Sequence, residues 1–126
     1  MMPDIKILYV EDENEIRDEL IEILELDFND IFSACNGEEG LEMFEKHQPD
    51  LVISDIQMPK MDGLTMSRQI LERNPKTAII ITTAFNEQKY IDEANELNIS
   101  HFISKPISIM ELHQSIKSCF SDEDSQ

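Results

Sequence analysis

Leu51-Val52-Ile53-Ser54-Asp55 is the stretch that decides the fold. Its apolar run predicts a short strand over residues 51–54, covered on both faces as strands inside a parallel sheet are. The acid directly after that run stands where only a loop turn or a site would want it. Working outward, four further β-type runs occur at residues 5–10, 31–34, 78–83 and 101–104, and the run at 78–83 is again continuously apolar. Longer segments of helical periodicity separate them. Five βα units around a parallel sheet follow from this alternation.

The connecting segments carry helix signals. Ile16, Leu20, Ile23 and Leu24 keep helical spacing, with Glu15, Asp18, Glu19, Glu22 and Glu25 on the opposite face. Asn36 with Glu39, and Ser108 with Glu111, have capping-box spacing and open the second and fifth helices. The third helix opens near Asp62-Gly63 and runs through Leu64, Ser67, Ile70 and Leu71 to Arg73, where Asn74-Pro75 stops it. The fourth is expected from Asn86 to about Leu97, with Asn98 suited to a left-handed cap.

Composition narrows the function. The chain has 126 residues, one domain's worth, and 40% of them are hydrophobic, enough for a core without disulfide or metal staples. A single domain over residues 1–120 is expected, followed by a polar, disordered acidic tail at 121–126. Formal net charge is −17, and 11 acids fall within the first thirty residues. Such a surface repels phosphate backbones, which argues against nucleic-acid binding by this domain. Apolar runs of four residues are far short of the roughly 18 that span a bilayer, so no membrane partner is expected. The N-terminus has no basic segment followed by an apolar one, and Cys35 and Cys119 form no CxxC. Both cysteines are expected to be reduced core thiols of a cytoplasmic protein.

Ligands of parallel α/β sheets bind beyond the carboxyl ends of the strands. Those ends carry Glu11-Asp12, Asp55, Thr83 and Lys105-Pro106. If the first, third, fourth and fifth strands are neighbours, three carboxylates, a hydroxyl and an ammonium meet at one edge. The carboxylates repel one another unless a cation neutralises them. Magnesium (Mg2+) suits oxygen ligands, few carboxylates and a phosphoryl oxygen, and Lys105 adds a point charge suited to phosphate. Asp55 is then the nucleophile that attacks phosphorus in line and becomes an aspartyl phosphate. Taken singly, each residue has a plainer reading. Asp12, with Glu15 three later, serves as an N-cap; Asp62 before Gly63 is a turn or cap residue; Thr83 suits a strand by its β-branch; Lys105 is a surface charge.

At these residues the chain resembles a receiver domain of the two-component response-regulator family. The matching elements are Glu11-Asp12, the Asp55 to Pro59 segment with Lys60-Met61-Asp62-Gly63, Thr83-Ala84 and Lys105-Pro106, in order and at strand ends, over about residues 4–120. The resemblance implies a flavodoxin-like (βα)5 fold with strand order 2-1-3-4-5 and helices on both faces. It implies Asp55 as phosphoacceptor, with a histidine kinase or histidine phosphotransfer protein as donor. Asp12, Asp55 and the Gln57 backbone carbonyl would hold magnesium, with Glu11 reaching it through water. Lys105 would pair with the phosphoryl group, beside a cis Lys105–Pro106 bond. Thr83 and Phe102 would form the switch, and the fourth helix, fifth strand and fifth helix the output surface. That surface would address a downstream protein target or an attached output domain, in a monomer or a phosphorylation-dependent dimer.

The chain departs from the family pattern at two places: Asn98-Ile99 replaces the Gly-Ala frequent before the fifth strand, and the switch aromatic is Phe102 rather than Tyr. Gln57 and Phe85 stand at two positions that vary across the family and that, by the resemblance, tune phosphate lifetime. Phe85 is expected to limit attacking water. Two rivals compete with the receiver reading. A haloacid-dehalogenase-type phosphohydrolase would need an acid where Gln57 stands, and Gln57 transfers no proton at neutral pH. A pseudo-receiver, a binding module without the chemistry, fits poorly with filled acid, Thr and Lys positions. The acidic face of the first helix and the exposed parts of Met58, Pro59, Met61 and Ile107 are candidate docking elements for the donor, with simple solvation the plainer account of the acids. Lys89, Tyr90 and His113 are candidates for the output face, though nothing in their spacing requires it.

Overall fold

The structure is a computed structural model that describes residues 3–84, 88–99 and 101–120. Elements alternate as β1 (Lys6–Val10), α1 (Asn14–Leu24), β2 (Asp30–Ala34), α2 (Gly37–His47), β3 (Leu51–Asp55), α3 (Gly63–Arg73), β4 (Ala78–Thr83), α4 (Gln88–Glu96), β5 (His101–Ser104) and α5 (Ile109–Cys119). The strands form one parallel sheet in the order β2-β1-β3-β4-β5. The expected fold class holds. The expected start of the fourth helix at Asn86, the role given to Phe85, and the tail at 121–126 lie outside the described residues.

Two apolar layers cover the sheet. Strand residues alternate sides, so Leu8, Val10, Val52, Ile79 and Ile81 pack with Phe44 of α2, Met66 and Ile70 of α3 and Ala94 of α4. Ile7, Tyr9, Leu51, Ile53, Ile80 and Ile103 pack with Leu20 and Leu24 of α1 and Leu112 and Ile116 of α5. The central strands are therefore apolar at nearly every position, the pattern that made the 51–55 stretch legible.

The helix starts follow the sequence signals with one variation and one correction. Asn36 accepts the Glu39 N–H at 2.8 Å, but the Glu39 carboxylate reaches one residue further back than a capping box requires, to the Cys35 N–H at 2.6 Å. That bond holds the Glu39 carboxyl below its ordinary pKa. Ser108 and Asp62 accept the N–H groups three residues on, at 3.3 and 2.7 Å. Asp12 is not an N-cap: α1 is capped at Glu13, with no side-chain capping bond. Asn98 takes a positive φ of 66° after α4, where Asn tolerates the left-handed region and the Ile99 N–H returns to the Ala94 carbonyl. The cysteines are free thiols but half-buried rather than core residues. Burial pushes the Cys119 pKa up to about 11.

Candidate functional site

The parallel sheet brings the ends of β1, β3, β4 and β5 to one rim. A cavity of about 240 Å³ opens there, lined by Asp12, Glu13, Asp55, Gln57, Thr83, Ala84 and Lys105. Asp55 is the last residue of β3 and is paired in register with Thr82, so its position is fixed by the sheet rather than by a loop. Its Oδ1 accepts the Ile56 N–H at 2.7 Å, which orients the carboxylate and leaves Oδ2 toward Lys105.

Lys105 ties the rim together. The cis Lys105–Pro106 peptide follows β5, and the Lys105 N–H bonds the Thr83 carbonyl at 2.9 Å. Its Nζ donates to Asp55 Oδ2 at 2.7 Å and to Glu11 Oε1 at 2.9 Å. Burial works to lower the lysine pKa, and these two charge-assisted bonds outweigh it, so the net shift is upward and the ammonium stays charged.

The adjacent acids Glu11 and Asp12 differ in setting. Glu11 is fully buried, and loss of hydration raises its pKa while Lys105 and the Glu13 N–H oppose the rise. Asp12 is exposed. One oxygen from each of Glu11, Asp12 and Asp55 falls within 4.8 Å of the others. Three hard oxygen donors at that separation, beside a loop residue with a backbone carbonyl to offer, match what magnesium requires.

The loop after β3 is held close. The Gly63 N–H bonds the Ile56 carbonyl at 2.7 Å, and a Cβ on Gly63 would collide with the Asp55 carbonyl oxygen, so only glycine lets α3 start this near the end of β3. Lys60 adopts a positive φ of 71° in the same loop.

Of the residues singled out from sequence, Asp12, Asp55, Gln57, Thr83 and Lys105 line the cavity, and Glu11 lies buried behind it, bonded to Lys105. Phe102 does not line it; the ring sits in β5, partly buried against the core on the α4 side. Two contacts escaped sequence reasoning. Arg17 donates to the Glu11 carbonyl at 2.8 Å and to Asn14 Oδ1 at 2.6 Å, clamping the β1–α1 loop; its being the lone cation of the acidic first helix was a usable signal. Gln57 Nε2 donates to Tyr90 Oη of α4 at 3.0 Å, a pairing with no sequence signature.

Comparison with known proteins agrees with this geometry. The sequence model of the response regulator receiver domain matches residues 7–117. Sporulation initiation phosphotransferase F of Bacillus subtilis is 34% identical over 116 residues, covering 92% of this chain and 94% of that protein. The protein-glutamate methylesterase/protein-glutamine glutaminase 1 of Oleidesulfovibrio alaskensis is 39% identical over 111 residues, covering 86% of this chain; the match spans only 30% of that protein's length. The solved CheX-CheY-BeF3-Mg+2 complex from Borrelia burgdorferi contains a chain that matches with a TM-score of 0.85 and 30% identity, over 94% of this chain and 90% of that one. A family match over nearly the whole chain, on a sheet that brings the expected strand-end residues together, shows that this chain belongs to the response regulator receiver domain family.

Proposed function

We propose that Asp55 is the phosphoacceptor and takes its phosphoryl group from a phosphohistidine of a histidine kinase or histidine phosphotransfer protein. The observation that carries this reading is the Lys105 ammonium bonded at once to Asp55 and Glu11 on a rim of three carboxylates. Asp55 attacks phosphorus in line; the bond from its Oδ forms as the bond to the donor nitrogen breaks, and that electron pair returns to the imidazole. Lys105 follows the charge from the free carboxylate to the phosphoryl oxygens. Asp12, Asp55 and the Gln57 carbonyl would hold magnesium, with Glu11 in support, and the ion when bound would offset charge on the carboxylates and on the phosphoryl group. Thr83 turns its hydroxyl to a phosphoryl oxygen and Phe102 moves inward, changing the surface of α4, β5 and α5 that a target or output domain reads.

The donor's approach is supported by a groove of about 420 Å³ beside the rim, where Ile16, Leu20 and Ile23 of α1 face Pro106, Ile107 and Ile109. Gln57, two residues after the acceptor, supplies no general acid, which favours a single transfer over sustained phosphatase turnover. The test is mass spectrometry after incubation with acetyl phosphate and magnesium. One added phosphate on Asp55 is expected, with none in Asp55→Ala of unchanged circular dichroism. A label that survives Asp55→Ala refutes the assignment, and so does a folded protein that takes none.

A further inference from the structure

The hydrogen bond between Gln57 Nε2 and Tyr90 Oη joins the loop after β3 to α4 across 33 residues of chain. Gln57 lines the cavity that contains Asp55 and Lys105, and Tyr90 does not, so Gln57 stands between that cavity and α4. An exposed glutamine without a partner samples many rotamers. The tyrosine ring is held: it packs against the core on the α2, α3 and α4 side, and Lys89 Nζ lies 5.0 Å from its centroid. A hydroxyl on a fixed ring confines a side chain that would otherwise swing.

We propose that Tyr90 is a positioning residue of the acceptor site, holding the Gln57 carboxamide beside the Asp55 cavity as a screen against bulk water. The inference rests on Asp55 being the acceptor. Loss of the phosphoryl group needs a water oxygen to bond phosphorus while the bond from phosphorus to Asp55 Oδ breaks. That electron pair returns to the carboxylate, and the water's hydrogens leave with inorganic phosphate or pass to solvent. The cavity is the water's route to that phosphorus, and a tethered carboxamide narrows it.

Tyr90→Phe removes the hydroxyl and keeps the ring. In the unphosphorylated protein, the NMR resonances of the Gln57 side-chain amide are expected to shift. After labelling with acetyl phosphate and magnesium, decay is expected to quicken about threefold, the scale of one hydrogen bond. In a Gln57→Leu background the same substitution is expected to leave decay unchanged, because the group through which Tyr90 acts is gone. Unmoved Gln57 resonances, an unaltered lifetime, or equal acceleration in both backgrounds each overturn the screen. Intact labelling with an unaltered lifetime overturns the screen and leaves the acceptor assignment standing. Absence of label at Asp55, with the Gln57 resonances still shifted, removes the acceptor assignment and the screen with it.

Discussion

α3 and α4 lie on the same side of the sheet, each entering from the functional rim, yet they are anchored very differently. α3 buries Gly63, Leu64, Met66, Ser67 and Ile70 and is capped by Asp62. Of the described α4 residues only Ala94 is buried, and its link to the rim is the bond from Gln57. A helix with that few buried side chains opens at low cost. The difference separates two kinds of anchoring: α3 holds the loop after β3 through many buried side chains, while α4 rests on Ala94 and the partly buried ring of Tyr90.

The sharpest way to break this contrast is Ile70→Ala, which empties a fully buried site under α3 and is expected to cost about 2–5 kcal/mol of global stability by denaturant unfolding. Alkaline pH comes next. Lys105, through its bonds to Asp55 and Glu11, and Tyr9 and Cys119, through burial, hold protons above their ordinary values of 10.5, 10.0 and 9.0. The unfolded chain releases those protons first, so stability is full at neutral pH and falls as pH rises from about 9, by up to ~1.4 kcal/mol per unit for each titrating group. Denaturation series between pH 7 and 11 check this; α3 protection should track the loss while local opening of α4 does not. Asp62→Ala removes the α3 cap and is expected to cost about 1 kcal/mol, read from the shift in denaturation midpoint. The smallest effect is Gln88→Ala, which breaks the i, i+4 bond to Asp92 and should lower hydrogen-exchange protection in α4 by roughly 0.2–0.5 kcal/mol, leaving global unfolding unchanged.

Much of the fold was legible because its signals are local. The runs at 51–55 and 78–83 are apolar on both faces since each lies between helical layers, and Asn36, Asp62 and Ser108 announce helices through bonds three residues long. The rim was legible for a topological reason, as parallel strands put their ends together whatever lies between them. Asp12 shows the limit: an acid before a helix has the same local sequence whether it caps the helix or faces a cavity, and only the placement of the cap at Glu13 separates the two. Arg17 on the Glu11 carbonyl left only the signal of a lone cation in an acidic helix, and Gln57 on Tyr90 was out of reach, because a side-chain contact between distant elements leaves no periodicity to read.

The rim's three carboxylates and single ammonium carry a formal excess of two negative charges within a few ångströms, on a chain of formal net charge −17. Monovalent salt distinguishes these two sources of attraction, since at 0.1 M it screens exposed charges beyond about 10 Å and leaves short-range pairs nearly untouched. Raising ionic strength therefore slows the arrival of a divalent ion drawn in by the exterior, while the grip exerted by the rim itself persists.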